Sequence, residues 1–353
     1  MGVVEKEMMH RFFYIAIFFI AVLVTVSCQP HDAFCFEHPH GAKVSIGVDW
    51  SNFKEEKVSG MSVSVFSATD STRQIQYTTE MTDGVSFNLV TKDYVVFVHN
   101  QSVAEFGTIA FSGMDKLSTA RVFPERCSSE WYKPMEDENL VVNPEWLAFD
   151  KKDLLMAQNR INEEGNSYEP NKTRSSDTPA VTLTPKNIVH VLHATIHIKG
   201  INNYRAGRAS ITGMADGFHL GNDEYSTQQV THLMESWKID KKYNNNDGTQ
   251  EGTIISAINC FGLPAEHNGN AEANKLKLSL LLADNKTVIH HVFDVGNKFY
   301  KRIADGSSSH LYLDIAWPDY LPDVVPAQGN NGQNGFNAEV DDWGEEENTE
   351  VIM

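Results

Sequence analysis

AKVSIGVD, residues 42–49, sets Ala42, Val44, Ile46 and Val48 on one side of the chain and Lys43, Ser45, Gly47 and Asp49 on the other. A period of two is the pattern of a strand with one face buried. MSVSVFS at 61–67 repeats it, with Met61, Val63 and Val65 facing away from Ser62 and Ser64. Ile75 and Tyr77 alternate with Gln74 and Gln76, and Asp83-Gly84 then supplies a hairpin turn signal. Val85, Phe87 and Leu89 share one face, and 94–98 is an unbroken apolar run suited to a central strand. Five strands about 10–18 residues apart, with turn residues between them, predict a β-sandwich.

Outward from this block the strand pattern lapses between about 110 and 150. There Asn143-Pro144 reads as a helix cap followed by a first-turn proline, which predicts a short helix over 144–149. Residues 163–178, EEGNSYEPNKTRSSDT, have no apolar period and read as a linker. Beyond it 181–183, 188–198, 208–212, 228–233 and 253–261 are strand-like. Leu276, Leu278, Leu280 and Leu282 alternate with Lys275, Lys277 and Ser279, and 288–293 and 311–315 complete a second set. The expected class is all-β: an N-terminal sandwich over 41–162 and a C-terminal one over 179–325. Residues 326–353 form a Gly/Asn-rich and then acidic tail with a terminal strand.

The chain has 353 residues and a net charge of −18, with 41% hydrophobic and 22% charged residues, a folding composition. That excess of acid excludes nucleic acid as partner, since a phosphate backbone needs a basic footprint. Residues 12–27 are an uncharged apolar run behind Lys6 and Arg11. Sixteen helical residues rise about 24 Å, short of the ~30 Å hydrocarbon core, so the run reads as a signal-peptide core and not a span. It closes on Thr25-Val26-Ser27-Cys28, which resembles the bacterial lipobox, with Thr25 where Leu is usual. The expected topology is a signal peptide over 1–27, lipidation of Cys28, a leader over 28–40 and an outer-membrane location. The bland alternative is an ordinary secretory signal.

Candidate chemistry is sparse. His190, His193 and His197 would line one face of a helix, but IVHVLHATIHI is rich in β-branched residues and reads as a strand. There His190 opposes the other two, which lie about 13 Å apart, too far for one metal. His290-His291 point to opposite faces by the same rule. His31, His38, His40 and Cys35 fall in the polar leader. Cys35 and Cys127 can pair in an oxidising compartment or stay free, and Cys260 sits in an apolar strand where it is inert. Trp50, Trp131, Tyr132 and Trp146 are candidates for stacking on sugar rings or for ordinary core. There is no G-x-S-x-G elbow, H-E-x-x-H pair or phosphate-cradling glycine loop, and no carboxylate pair stands out from the acid excess. No enzyme, metal site or cofactor is expected.

The leader Cys35-Phe36-Glu37-His38-Pro39-His40, running into 42–49 and Trp50, closely resembles the domain of unknown function 5119 family, lipoproteins of the Bacteroidetes. Gly60-Met61-Ser62-Val63, YVVFVHN at 94–100, Ile211-Thr212-Gly213-Met214, Leu220-Gly221-Asn222-Asp223 and Trp343-Gly344 extend the resemblance over the mature chain. That family is similar in turn to fimbrillins and to the lipoproteins that anchor or cap their pili. The resemblance implies two fimbrillin-like sandwich domains in tandem behind a lipobox, and it carries over one functional position, Cys28. No arginine cleavage site follows a first strand, so maturation by strand removal is not implied. The function expected is a non-enzymatic lipid-anchored protein for pilus anchoring, assembly or adhesion. Its partners are the membrane, through lipid on Cys28, and pilin-like subunits that meet it by β-strand addition. The alternative is a surface glycan-binding lipoprotein, whose site would expose aromatic rings beside polar groups.

Overall fold

The computed structural model describes residues 41–53, 57–156, 180–245, 250–302 and 310–327. Of the described residues, Gly41, Ala42 and Leu89–Thr91 fall in one compact unit and the rest, from Lys43 to Asn88 and from Lys92 onward, in another. Among the described residues there is no α-helix, and the chain is all-β.

The alternating segments are strands as expected: β1 (Gly41–Val48), β2 (Met61–Ser67), β3 (Arg73–Thr79), β4 (Gly84–Val90) and β5 (Tyr94–Asn100). The stretch where the pattern lapses holds β6 (Ile109–Ser112), β7 (Arg121–Pro124), β8 (Leu140–Val141) and β9 (Ala148–Leu154). The first three of these are too short to show a period. Then come β10 (Ala180–Leu183), β11 (Lys186–Asn187), β12 (His190–Lys199), β13 (Tyr204–Ala215), β14 (Phe218–His219), β15 (Glu224–Tyr225), β16 (Gln229–Met234) and β17 (Lys238–Asn244). The series ends with β18 (Gln250–Cys260), β19 (Lys275–Leu282), β20 (Val288–Asp294), β21 (Phe299–Tyr300) and β22 (His310–Tyr320).

The helix expected over 144–149 is absent. Ala148 opens β9, and its N–H donates to Asn100 Oδ1 at 2.8 Å. Leu147, Ala148 and Phe149 are all buried. Glu145 turns its carboxylate onto the N–H groups of Gly107 and Thr108 at 2.7 and 3.0 Å, capping another loop instead of its own helix. Tertiary burial here overrides a local capping signal.

Five sheets result. β10-β1-β4 and β11-β9-β5-β2-β3 are built mainly from strands before the expected linker, β17-β18-β12-β22-β21 and β20-β19-β13-β16-β8 mainly from strands after it and make the C-terminal sandwich, and β15-β14-β7-β6 draws equally on both. Leu192, Ile196, Ile254, Leu278, Leu280 and Leu313, all nearly inaccessible, lead the C-terminal core. Each such side chain contributes about 1.5–3 kcal/mol by leaving water. Every residue of β2 is buried, so both of its faces are packed. Phe66, Phe97 and Phe149 are in ring contact on one face, at 5.1 and 5.6 Å, and reach a second core with Val122, Phe218, Leu220 and Phe261.

The sheets are interleaved along the chain. β1 runs parallel to β10 with Ile46 opposite Val181, β9 pairs with β11, β7 pairs with β14, and β8 runs parallel to β16. The linker expected at 163–178 lies outside the described residues. A protease site introduced within it is therefore expected to yield two fragments that co-elute in native size exclusion and separate only in denaturant. Separation without denaturant would contradict the shared sheets.

Candidate functional site

The turn 220–223 joins β14 to β15 and is held from several sides. Gly217 enters with φ +139, and a Cβ there would lie 2.1 Å from the Val122 carbonyl oxygen, so only glycine admits this approach. Phe218 and His219 then pair with Val122 and Arg121 on one side and with Tyr225 and Glu224 on the other. The Leu220 N–H donates to the Ala120 carbonyl at 3.0 Å, and its side chain is buried. A Cβ on Gly221 would lie 2.3 Å from the Leu117 carbonyl oxygen, which again selects glycine. Asp223 takes φ +58, a left-handed conformation that aspartate tolerates better than most residues. Lys151 donates to the Gly221 carbonyl and pairs with Asp223 at 3.2 Å.

Between this turn, the 3-10 turn Leu117–Thr119 and Ser71 lies an open cavity of about 610 Å³. Its polar lining is Ser71, Ser118, His219, Asn222, Glu224 and Thr227. Asn222 Nδ2 donates to Glu224 Oε2 at 2.9 Å, which fixes the carboxylate. Tyr225 contributes ring surface only, because its hydroxyl donates to the Ile188 carbonyl at 3.2 Å and meets His190 Nε2 at 2.8 Å. Burial pushes the Tyr225 phenol far up, so it stays neutral. The lining has one carboxylate and no lysine or arginine. Its hydroxyls, amide, imidazole and single carboxylate are hydrogen-bonding groups suited to holding a polar ligand.

The histidines singled out in the sequence do not converge. His190 faces inward toward Tyr225, while His193 and His197 face outward on β12. His193 Nε2 lies 2.9 Å from His310 Nδ1, and His197 Nε2 lies 2.7 Å from Asp314 Oδ1. The rings of His310, His193, Tyr312 and Tyr300 stack in succession at 5.1, 4.9 and 5.7 Å. Faces stacked on one another are covered, so this row offers a sugar mainly ring edges. His290 Nδ1 meets Ser279 Oγ at 2.8 Å, and His291 packs on Phe293 and Trp317.

The aromatics proposed for stacking on sugar serve the fold. Trp50 Nε1 donates to the Thr82 carbonyl at 2.7 Å, and Trp50, Phe53 and Trp146 are in successive ring contact. Trp131 and Tyr132 lie against the outer face of the β19–β13–β16 sheet, with Arg208 over the Trp131 ring at 4.6 Å. Cys127 is half-buried, its thiol raised by burial and by Glu235, and Cys260 is buried with its thiol pushed up to about 12. Cys28, Cys35, His31, His38 and His40 lie outside the described residues. Sequence reasoning missed the cavity itself. Its signal was present in Leu220-Gly221-Asn222-Asp223, where a glycine and an aspartate mark a strained turn.

Two strand edges differ in their protection. β17 ends its sheet with every residue exposed and carries Lys238, Lys241 and Lys242, the charges that guard an edge against pairing. β3 ends the five-stranded sheet β11-β9-β5-β2-β3 as RQIQYTT, where the one charge, Arg73, is tied to Asp115 at 2.8 Å. Tyr77, 46% exposed, sits on this edge in contact with Phe87. Among the described residues no strand pairs with the outer side of β3, and beyond Arg73 its own sequence carries no charge to guard that edge.

A sequence profile of the family described as Domain of unknown function (DUF5119) matches residues 27–235. No curated protein matches the chain. Among solved structures, a candidate adhesin of Bacteroides ovatus is similar over 85% of this chain and 99% of its own, at 15% identity and a TM-score of 0.51. The fimbrial anchor protein Mfa2 of Porphyromonas gingivalis covers 78% of this chain and 91% of its own at 8% identity, with a TM-score of 0.41. At 15% identity the first likeness is one of fold.

Proposed function

The chain belongs to the DUF5119 family, and from that premise we propose that it is a non-enzymatic, lipid-anchored outer-membrane protein of the fimbrillin-like kind, serving pilus anchoring, assembly or adhesion. The observation that carries this reading is the unguarded β3 edge in a fold shared with a candidate adhesin. An open edge satisfies its backbone groups by accepting a strand from a partner, and alternate side chains then set the register. The partner is a pilin-like subunit. Lipid on Cys28 holds the protein at the membrane, because each buried CH₂ adds about 0.8 kcal/mol and two or three chains make the attachment durable.

Two measurements test the two halves of this reading. Cys28→Ser is expected to move the processed protein out of the membrane fraction, and quantitative retention would refute lipidation. Gln74→Lys with Gln76→Lys places on β3 the kind of charge that β17 already carries. Both positions are exposed, so the melting temperature should stay within about 2 °C of the parent. Pilin-like subunits co-purifying with the parent from intact cells should fall at least tenfold with the double-lysine variant. Unchanged recovery would remove β3 from the reading.

A further inference from the structure

In the turn 220–223, Asn222 and Asp223 are exposed and support no core. We infer that the cavity it walls is a binding site for an uncharged carbohydrate of one or two sugar rings. The volume of about 610 Å³ lies in the range of small-ligand sites. The polar lining is hydroxyl, amide, imidazole and carboxylate. A sugar hydroxyl can donate to Glu224 and His219 and accept from Asn222, Ser118, Thr227 or Ser71. Leu117, Ala265 and the Tyr225 ring supply apolar surface for the C–H side of a pyranose.

Charge narrows the class. A phosphate, sulfate, uronate or sialate would enter a lining that holds a carboxylate and no lysine or arginine, and it would find no counter-charge. A peptide would need a deeper apolar anchor than this open lining provides. The wall is also set before any ligand arrives. Gly221 lies against the Leu117 carbonyl, Lys151 ties the turn to β9, and Asn222 holds Glu224 in place. Such preorganisation is what a weakly binding, hydroxyl-rich ligand requires.

The test uses the full chain in detergent, displayed multivalently on an array carrying neutral and acidic glycans, because single-site affinity for sugars is low. The expected result is binding to a subset of neutral glycans, with their sialylated, sulfated or uronate-bearing counterparts bound at least tenfold less. Glu224→Gln and Asn222→Ala remove a donor–acceptor set at exposed positions, and each should lower binding to the same glycans tenfold or more with an unchanged melting temperature. Absence of any glycan signal, a preference for acidic glycans, or equal binding by both variants would overturn the proposal. Subunit co-purification by Glu224→Gln should match the parent. Failure at the cavity is thereby kept separate from failure of the β3 reading.

Discussion

Lowering the pH from 7.5 to 4.5 is expected to remove about 4–5 kcal/mol of folding stability through two histidines alone. His99 and His232 are 1% and 0% exposed. Burial holds the His99 imidazole down at about 4, against a small opposing contribution from its bond to Asn100, and holds His232 at about 3. In each ring Nδ1 has a partner, the Asn100 carbonyl or Asn143 Oδ1, both at 3.1 Å. Among the described residues Nε2 has none in either ring, which is the arrangement of a neutral imidazole with its bare nitrogen in the core. A base whose folded pKa lies below its unfolded value is protonated first in the unfolded chain. Stability is therefore flat above pH 6.5 and falls below it by about 1.4 kcal/mol per unit for each histidine, until the folded values are reached. Urea midpoints at pH 7.5, 6.5, 5.5 and 4.5 measure the slope. His99→Phe fits a ring already stacked on Phe111 at 5.1 Å and should halve the loss. A midpoint that does not move down to pH 4.5 would mean that neither imidazole is buried and neutral.

The all-β class was legible because β1 to β5 and β19 are long enough to display a period of two, and the alternation in 42–49 alone locates Val44, Ile46 and Val48 in the interior. What escaped was order in space. β8 is two residues long and β14 two, and neither shows a period, yet both join strands far away in sequence. The helix over 144–149 failed for a related reason. A cap signal is local, while Leu147 and Phe149 are claimed by a core assembled from distant strands. Of the chemistry, the reading of 190–198 as a strand separated His190 from His193 and His197, and the structure places them on opposite faces. The cavity was invisible because its lining comes from Ser71, Ser118 and the 219–227 hairpin, which no spacing rule links.

The segment between Cys127 and Val141 is expected to act as a strap whose removal from the C-terminal sandwich is expensive. Leu140 and Val141 are added to the sheet edge beside Thr231 and His232, so the strap is anchored at one end by the ladder. Its middle is anchored by one carboxylate. Glu138 Oε1 accepts from the Tyr132 hydroxyl and from Thr231 Oγ1, the latter at 2.6 Å, and Oε2 accepts from the Met135 N–H at 3.1 Å. Tyr132 is 2% exposed, and burial together with Glu138 drives its phenol far up, so it donates a proton it never releases. Lys277 Nζ lies 5.6 Å over the Tyr132 ring and donates to its hydroxyl at 3.4 Å. Glu138→Ala removes the acceptor of two buried hydroxyl donors at once, and each unsatisfied donor costs about 1–3 kcal/mol. The expected loss is about 2–4 kcal/mol. Tyr132→Phe removes one donor and leaves the carboxylate with two, so about 1–2 kcal/mol should go. The double variant should lose less than the sum, with a coupling above about 1 kcal/mol, because both changes break the same bond. Denaturant unfolding of the four proteins completes the cycle. A Glu138→Ala loss under about 0.5 kcal/mol would show that water replaces the carboxylate freely and that the strap is a solvated loop.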